Sequence, residues 1–218
     1  MKKFKGLMEL RRIFRVFAFV FLIWGCYRFL IKLPDEVEEL FLKPLVFLGP
    51  VFWVLRREKR DLKSVGWSTD NFFRGMYLGI GLGMVFAAEG LLVNYIKYGG
   101  FNFMVFEGGG QWLLTSLVLA LATAISEETV FRGFIMGRLL ELWKDEISAT
   151  LVSSILFVII HWPVTFFVLK YNLYQMIVHG LLVFVFSFGS CFLYARTRTL
   201  VASVLTHVMW SFSIILFR

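Results

Sequence analysis

Apolar runs long enough to cross a lipid bilayer recur along the whole chain, and no other feature constrains the fold as strongly. A spanning helix needs roughly 20 predominantly apolar residues. Seven candidate runs lie at roughly 16–33, 40–55, 75–96, 112–137, 147–169, 176–194 and 199–217. The second is short and carries Pro44 and Pro50, which points to a kinked or re-entrant segment. The fourth either continues as one helix past 137 or breaks into two, which would make eight segments. The expected fold class is an all-α polytopic membrane protein, a bundle of seven or eight transmembrane helices. Residues 1–218 are expected to form one transmembrane domain. Charged residues make up only 17% of the chain and mean hydropathy is +0.75, which argues against a single soluble core.

The net charge is +8. On a soluble protein that would suggest nucleic acid as a partner. Here the basic residues form short clusters between apolar runs, so they are read as setting topology against membrane lipids, with no nucleic acid expected. With the N-terminus inside, sixteen Lys and Arg fall in inner segments and five in outer ones, Lys32, Lys43, Lys97, Lys170 and Arg218. That asymmetry predicts a cytoplasmic N-terminus. The first apolar run carries Arg28 and lacks a small-x-small cleavage site, so it reads as a retained span. Cys26 and Cys191 form no metal or redox spacing and are expected to be buried, unpaired thiols. Gly75, Gly79 and Gly83, four residues apart, predict a face for close helix packing.

An ionisable side chain in hydrocarbon needs a partner or a function. The apolar runs contain Arg28, Glu89, Glu127, Glu128, Arg132, His161, His179 and His207. Glu128 and Arg132 are four apart and face each other on a helix, whereas Glu127 points about 100° away. That offset leaves Glu127 as a candidate general base and Glu128 as a paired, structural acid. The same trio reads equally well as a structural ion-pair knot. His207 and Ser211 share one face of the last run. If the fourth helix continues to Trp143, Glu127, His161, His207 and Ser211 can meet inside the membrane, towards its inner side. Arg28 and Glu89 have matching depth and opposite charge and are expected to pair. His179 is expected to lie away from the Glu127 cavity. No HExxH is present, all four aspartates fall between the apolar runs, and no GxSG surrounds a serine. Zincin, membrane aspartyl and rhomboid-like sites are thereby excluded.

These residues resemble the motifs of the CAAX prenyl protease and bacteriocin-processing family, often called Abi or Rce1-type. Its EExxxR is matched by Glu127, Glu128 and Arg132, its FxxxH by Phe157 and His161, and its last histidine motif at His207. The resemblance covers residues 112–217. The family usually has Asn where this chain has Ser211, a shorter side chain with one donor. The resemblance implies an intramembrane endopeptidase that cleaves a peptide or protein, prenylated if of CAAX type, near the cytoplasmic side. It implies that Glu127 and His161 activate water, that His207 and Ser211 stabilise the oxyanion, and that Glu128 and Arg132 hold the geometry. A Glu/His set can also bind zinc. A glutamate-activated water needs no metal and is the favoured reading, with no cofactor. The competing readings are a non-catalytic scaffold or immunity protein of the same fold, and a transporter relaying protons through the same residues.

Overall fold

The computed structural model describes residues 2–101 and 105–217. Among them there is helix and turn but no strand. The elements are α1 (Lys2–Leu30), α2 (Lys43–Glu58), α3 (Phe72–Tyr98), α4 (Val105–Glu128), α5 (Gly137–Trp143), α6 (Glu146–Pro163), α7 (Leu173–Thr197) and α8 (Leu200–Leu216). Three π-helical stretches join or extend them: Glu38–Leu42 leads into α2, Thr129–Met136 joins α4 to α5, and Val164–Val168 extends α6. Every apolar run singled out from sequence is helical. The fourth continues to Trp143, as the depth argument required, through the π-helical stretch.

Among the described residues, five helices are long and apolar enough to cross a membrane: Gly6–Leu30, Phe72–Tyr98, Gly109–Trp143, Glu146–Val168 and Leu173–Thr197. Leu200–Leu216 is apolar but shorter. The segment with Pro44 and Pro50 is helical yet falls outside these five, because it carries Glu38, Glu39 and Lys43.

Local chemistry sets the helix ends. Asp145 caps α6 by accepting from the Ile147 amide at 3.1 Å. Asn172 and Gln175 form a reciprocal capping box on α7. Thr199 accepts from the Val201 amide at 3.3 Å to start α8. Gly66 turns with φ +83°, and a Cβ there would meet Tyr194 at 2.8 Å, so both conformation and space require glycine.

The glycine face of α3 packs as expected. A Cβ on Gly79 would lie 2.6 Å from the Ala202 carbonyl oxygen of α8, and one on Gly83 would lie 2.5 Å from Met209. Thr206 donates to the Gly79 carbonyl at 3.1 Å across the same contact. Cys191 is buried and unpaired, but Cys26 is exposed on the bundle surface, contrary to expectation. At one end, Arg138 is buried and pairs with Glu9 and Glu58, tying α5 to α1 and α2.

Candidate active site

Glu127 and Glu128 close α4, immediately before the π-helical stretch. A π-bulge shifts side-chain phase by one residue and often marks a functional site. The four-residue relation survives it: an Arg132 guanidinium nitrogen lies 3.0 Å from Glu128 Oε1, with both side chains fully buried. Glu128 also accepts from Ser190 at 3.1 Å and lies 2.7 Å from His207 Nδ1. Arg132 sits over the Phe157 ring, 4.3 Å from its centroid. The phenylalanine of the second motif is thus a platform for the arginine of the first.

Each of the two motif histidines has Nδ1 on an acceptor. His161 Nδ1 lies 2.7 Å from the Phe157 carbonyl, which can only accept, so Nδ1 carries the proton and Nε2 presents a lone pair. His207 Nδ1 likewise donates to the Glu128 carboxylate, leaving Nε2 directed to the other glutamate at 3.9 Å.

Glu127 is buried, at 6% exposure, and its two oxygens differ. Oε1 lies 3.2 Å from Lys43 Nζ. Oε2 is buried and has no hydrogen-bond partner among the described residues. Both glutamate neighbours were expected to separate into a paired acid and a less constrained one, and they do. The partner on Oε1 was not foreseen. Lys43 had been placed in an outer segment, yet it is buried and also lies 2.6 Å from Glu39. The spacing of Glu39 and Lys43, four residues apart ahead of a proline, was the available signal.

One cavity of about 240 Å³ gathers these groups. Glu127, His161, His207 and Ser211 all line it, together with Lys43 and Arg28. Glu128 and Arg132 stand behind His207. Three expectations need correction. His179 does line the cavity, its ring 6.1 Å from that of His161 and 5.8 Å from Tyr171. Its place one turn into α7 was misread as pointing away from the site. Arg28 and Glu89 do not pair: Arg28 bonds Glu38, and Glu89 accepts from the Trp210 indole at 3.0 Å. Equal depth was not enough, because each side chain meets a partner on another element. The cavity also lies nearer the Val168 end of α6 and its extension than the Glu146 end, the end that the basic residues mark as inner. Along α6 and its extension, His161 is 15 residues from Glu146 but 7 from Val168, or about 22 Å against about 10 Å.

Ser211 does not aim its donor into the cavity. Its hydroxyl lies 2.9 Å from the His207 carbonyl and donates back to its own helix. Among the described residues, no three His, Cys, Asp or Glu side chains are grouped so as to hold a metal ion. With Lys43 against Glu127, the donor set does not fit zinc.

The fold and this cavity define a multi-pass helical membrane protein with a glutamate, two histidines and a lysine around one internal space. Residues 109–213 match the family model described as type II CAAX prenyl endopeptidase Rce1-like. The matched stretch is just under half of the chain, and over it the chain is similar to that CAAX-protease family. No curated protein and no solved structure matches the chain at a significant level.

Proposed function

We propose that this protein is an intramembrane endopeptidase that hydrolyses a peptide bond by a glutamate-activated water. The observation that carries the reading is Glu127 Oε2, a buried carboxylate oxygen without a partner, facing a cavity shared with two histidines. Buried polar atoms in native proteins are almost always satisfied, so an orphan on a cavity wall is a place for a bound reactant.

The groups divide the work as follows. A water between Glu127 and His161 gives one hydrogen bond to Oε2 and one to His161 Nε2. Glu127 takes the proton as the water oxygen bonds to the peptide carbonyl carbon. His207, with protons on both nitrogens and Glu128 as counter-charge, donates from Nε2 to the developing oxyanion. The carbon–nitrogen bond then breaks, and the proton held by Glu127 passes to the leaving amine. Arg132 and Ser190 keep Glu128, and through it His207, in place.

Similarity to a CAAX-type family supports a substrate ending in such a motif, with its prenyl chain held by the surrounding lipid. The test is direct. Purified protein in nanodiscs is offered a farnesylated CAAX-type peptide, and products are read by mass spectrometry. Wild type should release the C-terminal tripeptide, and Glu127→Gln should not. Dialysis against a zinc chelator should leave turnover unchanged, since no step runs through a metal. Equal turnover by wild type and Glu127→Gln would refute the reading, and loss on chelation restored by zinc would replace it with the metal-dependent version. The inward-bonded Ser211 favours a second reading, a catalytically weak relative of the same fold. Absence of turnover on this peptide and on a panel of small membrane proteins would select it.

A further inference from the structure

We propose that Lys43 is a catalytic residue of this site, its ammonium filling the oxyanion-binding place that Ser211 does not. The inference rests on the hydrolase reading and extends it to a residue outside every motif.

Most of the donors that line the cavity are already engaged. Ser211 donates to the His207 carbonyl of its own helix. Thr123 donates to Glu39, and Arg28 is held by Glu38. The Trp210 indole donates to Glu89. His161 presents a lone pair, not a proton. Besides the histidines, the cationic side chains at the cavity wall are Arg28 and Lys43. Arg28 is paired with Glu38 and keeps a buried Nε without a partner among the described residues, whereas the Lys43 nitrogen lies directly against Glu127, at 3.2 Å. The Lys43 ammonium has three N–H groups. Two face carboxylates, Glu39 at 2.6 Å and Glu127 at 3.2 Å. The Trp24 ring centroid lies 5.3 Å from the same nitrogen.

The chemistry then moves charge in a direction Lys43 can follow. At rest the negative charge is on Glu127. When Glu127 takes the water proton it becomes neutral, and an equal negative charge forms on the substrate carbonyl oxygen. A cation beside Glu127 loses one attraction and gains another a few ångströms away. Glu39, 2.6 Å from the ammonium, anchors it on its far side. A donor placed to meet charge only as it develops raises kcat, not substrate affinity. When the carbon–nitrogen bond breaks and the proton returns from Glu127 to the amine, the original pair re-forms.

The experiment compares wild type, Lys43→Met, Lys43→Arg, Ser211→Asn and the Lys43→Met/Ser211→Asn pair in nanodiscs on the farnesylated peptide. Thermal unfolding is recorded for each. Lys43→Met should lower kcat by about 100-fold with KM nearly unchanged, the scale of one lost oxyanion donor. Lys43→Arg should retain most of the activity. Adding Ser211→Asn to Lys43→Met should restore at least about tenfold, because the amide supplies the missing donor. A purely structural lysine would show a loss that follows unfolding and is not rescued. Should Lys43→Met not fold, Ser211→Asn alone decides: a change within about threefold supports Lys43 as the resident donor, and a gain of about 100-fold means that no donor was there. Lys43→Met with wild-type turnover, or a loss that Ser211→Asn leaves untouched, overturns the proposal while leaving the hydrolase reading intact. Inactive wild type and Glu127→Gln together overturn both.

Discussion

Glu127 and Glu128 are adjacent in sequence and opposite in circumstance. Glu128 is fully buried and bonded by Arg132, Ser190 and His207. Glu127 has one oxygen on Lys43 and one without a partner. Neutralising them should therefore have different consequences. Glu127→Gln should cut turnover by about 10²–10⁴-fold, the range for a lost general base, with little loss of stability. Glu128→Gln should also cost stability, by about 3–5 kcal/mol, because it strands a buried arginine. His207→Ala should remove activity. The checks are turnover and thermal unfolding on matched variants. Equal destabilisation by the two glutamine substitutions would show that the offset carries no functional meaning. The Glu128–Arg132 pair was legible from sequence because both partners lie on one helix. Lys43 and His179 were not, because they reach the cavity from other helices, and the phase of those helices depends on packing that no local spacing records.

The contact of α3 with α8 illustrates which features of an element do survive in sequence. Three glycines at four-residue spacing announce a smooth face, whatever the partner. At Gly79 the partner is backbone, which cannot yield, whereas Gly75 and Gly83 meet the side chains of Thr199 and Met209 first. A methyl on Gly79 would lie 2.6 Å from the Ala202 carbonyl oxygen, so Gly79→Ala should destabilise by about 1–3 kcal/mol, as overpacking does. The shift of α8 should also move His207, which lies five residues along from Ala202, so turnover should fall beyond the fraction unfolded. Gly81 has nothing within 4 Å of its would-be Cβ and supplies the control. If Gly79→Ala and Gly81→Ala behave alike in unfolding and turnover, close approach is not what positions α8. The segment leading into α2 shows the opposite case. Its prolines suggested a kink, but its role comes from Glu38, Glu39 and Lys43, which bring a charged network to the cavity wall.

Across the whole molecule, the basic segments assigned to one side do meet at one end. Arg60 pairs with Glu141, and Arg196 pairs with Glu146. The Leu200 amide donates to the Gly66 carbonyl at 2.9 Å, and Asn71 donates to the Thr197 carbonyl at 3.1 Å. The end of α1 meets the far end of α6 through Phe29 and Phe167, 4.9 Å apart, which marks the opposite end. Arg218, counted with that end, lies outside the described residues. The positive-inside rule predicts that the basic end is cytoplasmic. The site, however, lies nearer the other end, by the position of His161 on α6. Cleavage near the cytoplasmic face and a cytoplasmic N-terminus therefore pull against each other, and topology decides between them. Lys59 and Lys170 are exposed turns at opposite ends, suited to single-cysteine labelling once Cys26 and Cys191 are replaced by serine. In intact cells an impermeant maleimide should label Lys170→Cys, and should reach Lys59→Cys only after permeabilisation. That pattern places the cavity towards the non-cytoplasmic face, and a substrate would have to present its scissile bond deep in the bilayer. The reverse pattern would invert the helix bundle, bring the cavity towards the cytoplasm, and show that the distribution of Lys and Arg does not set the orientation of this chain.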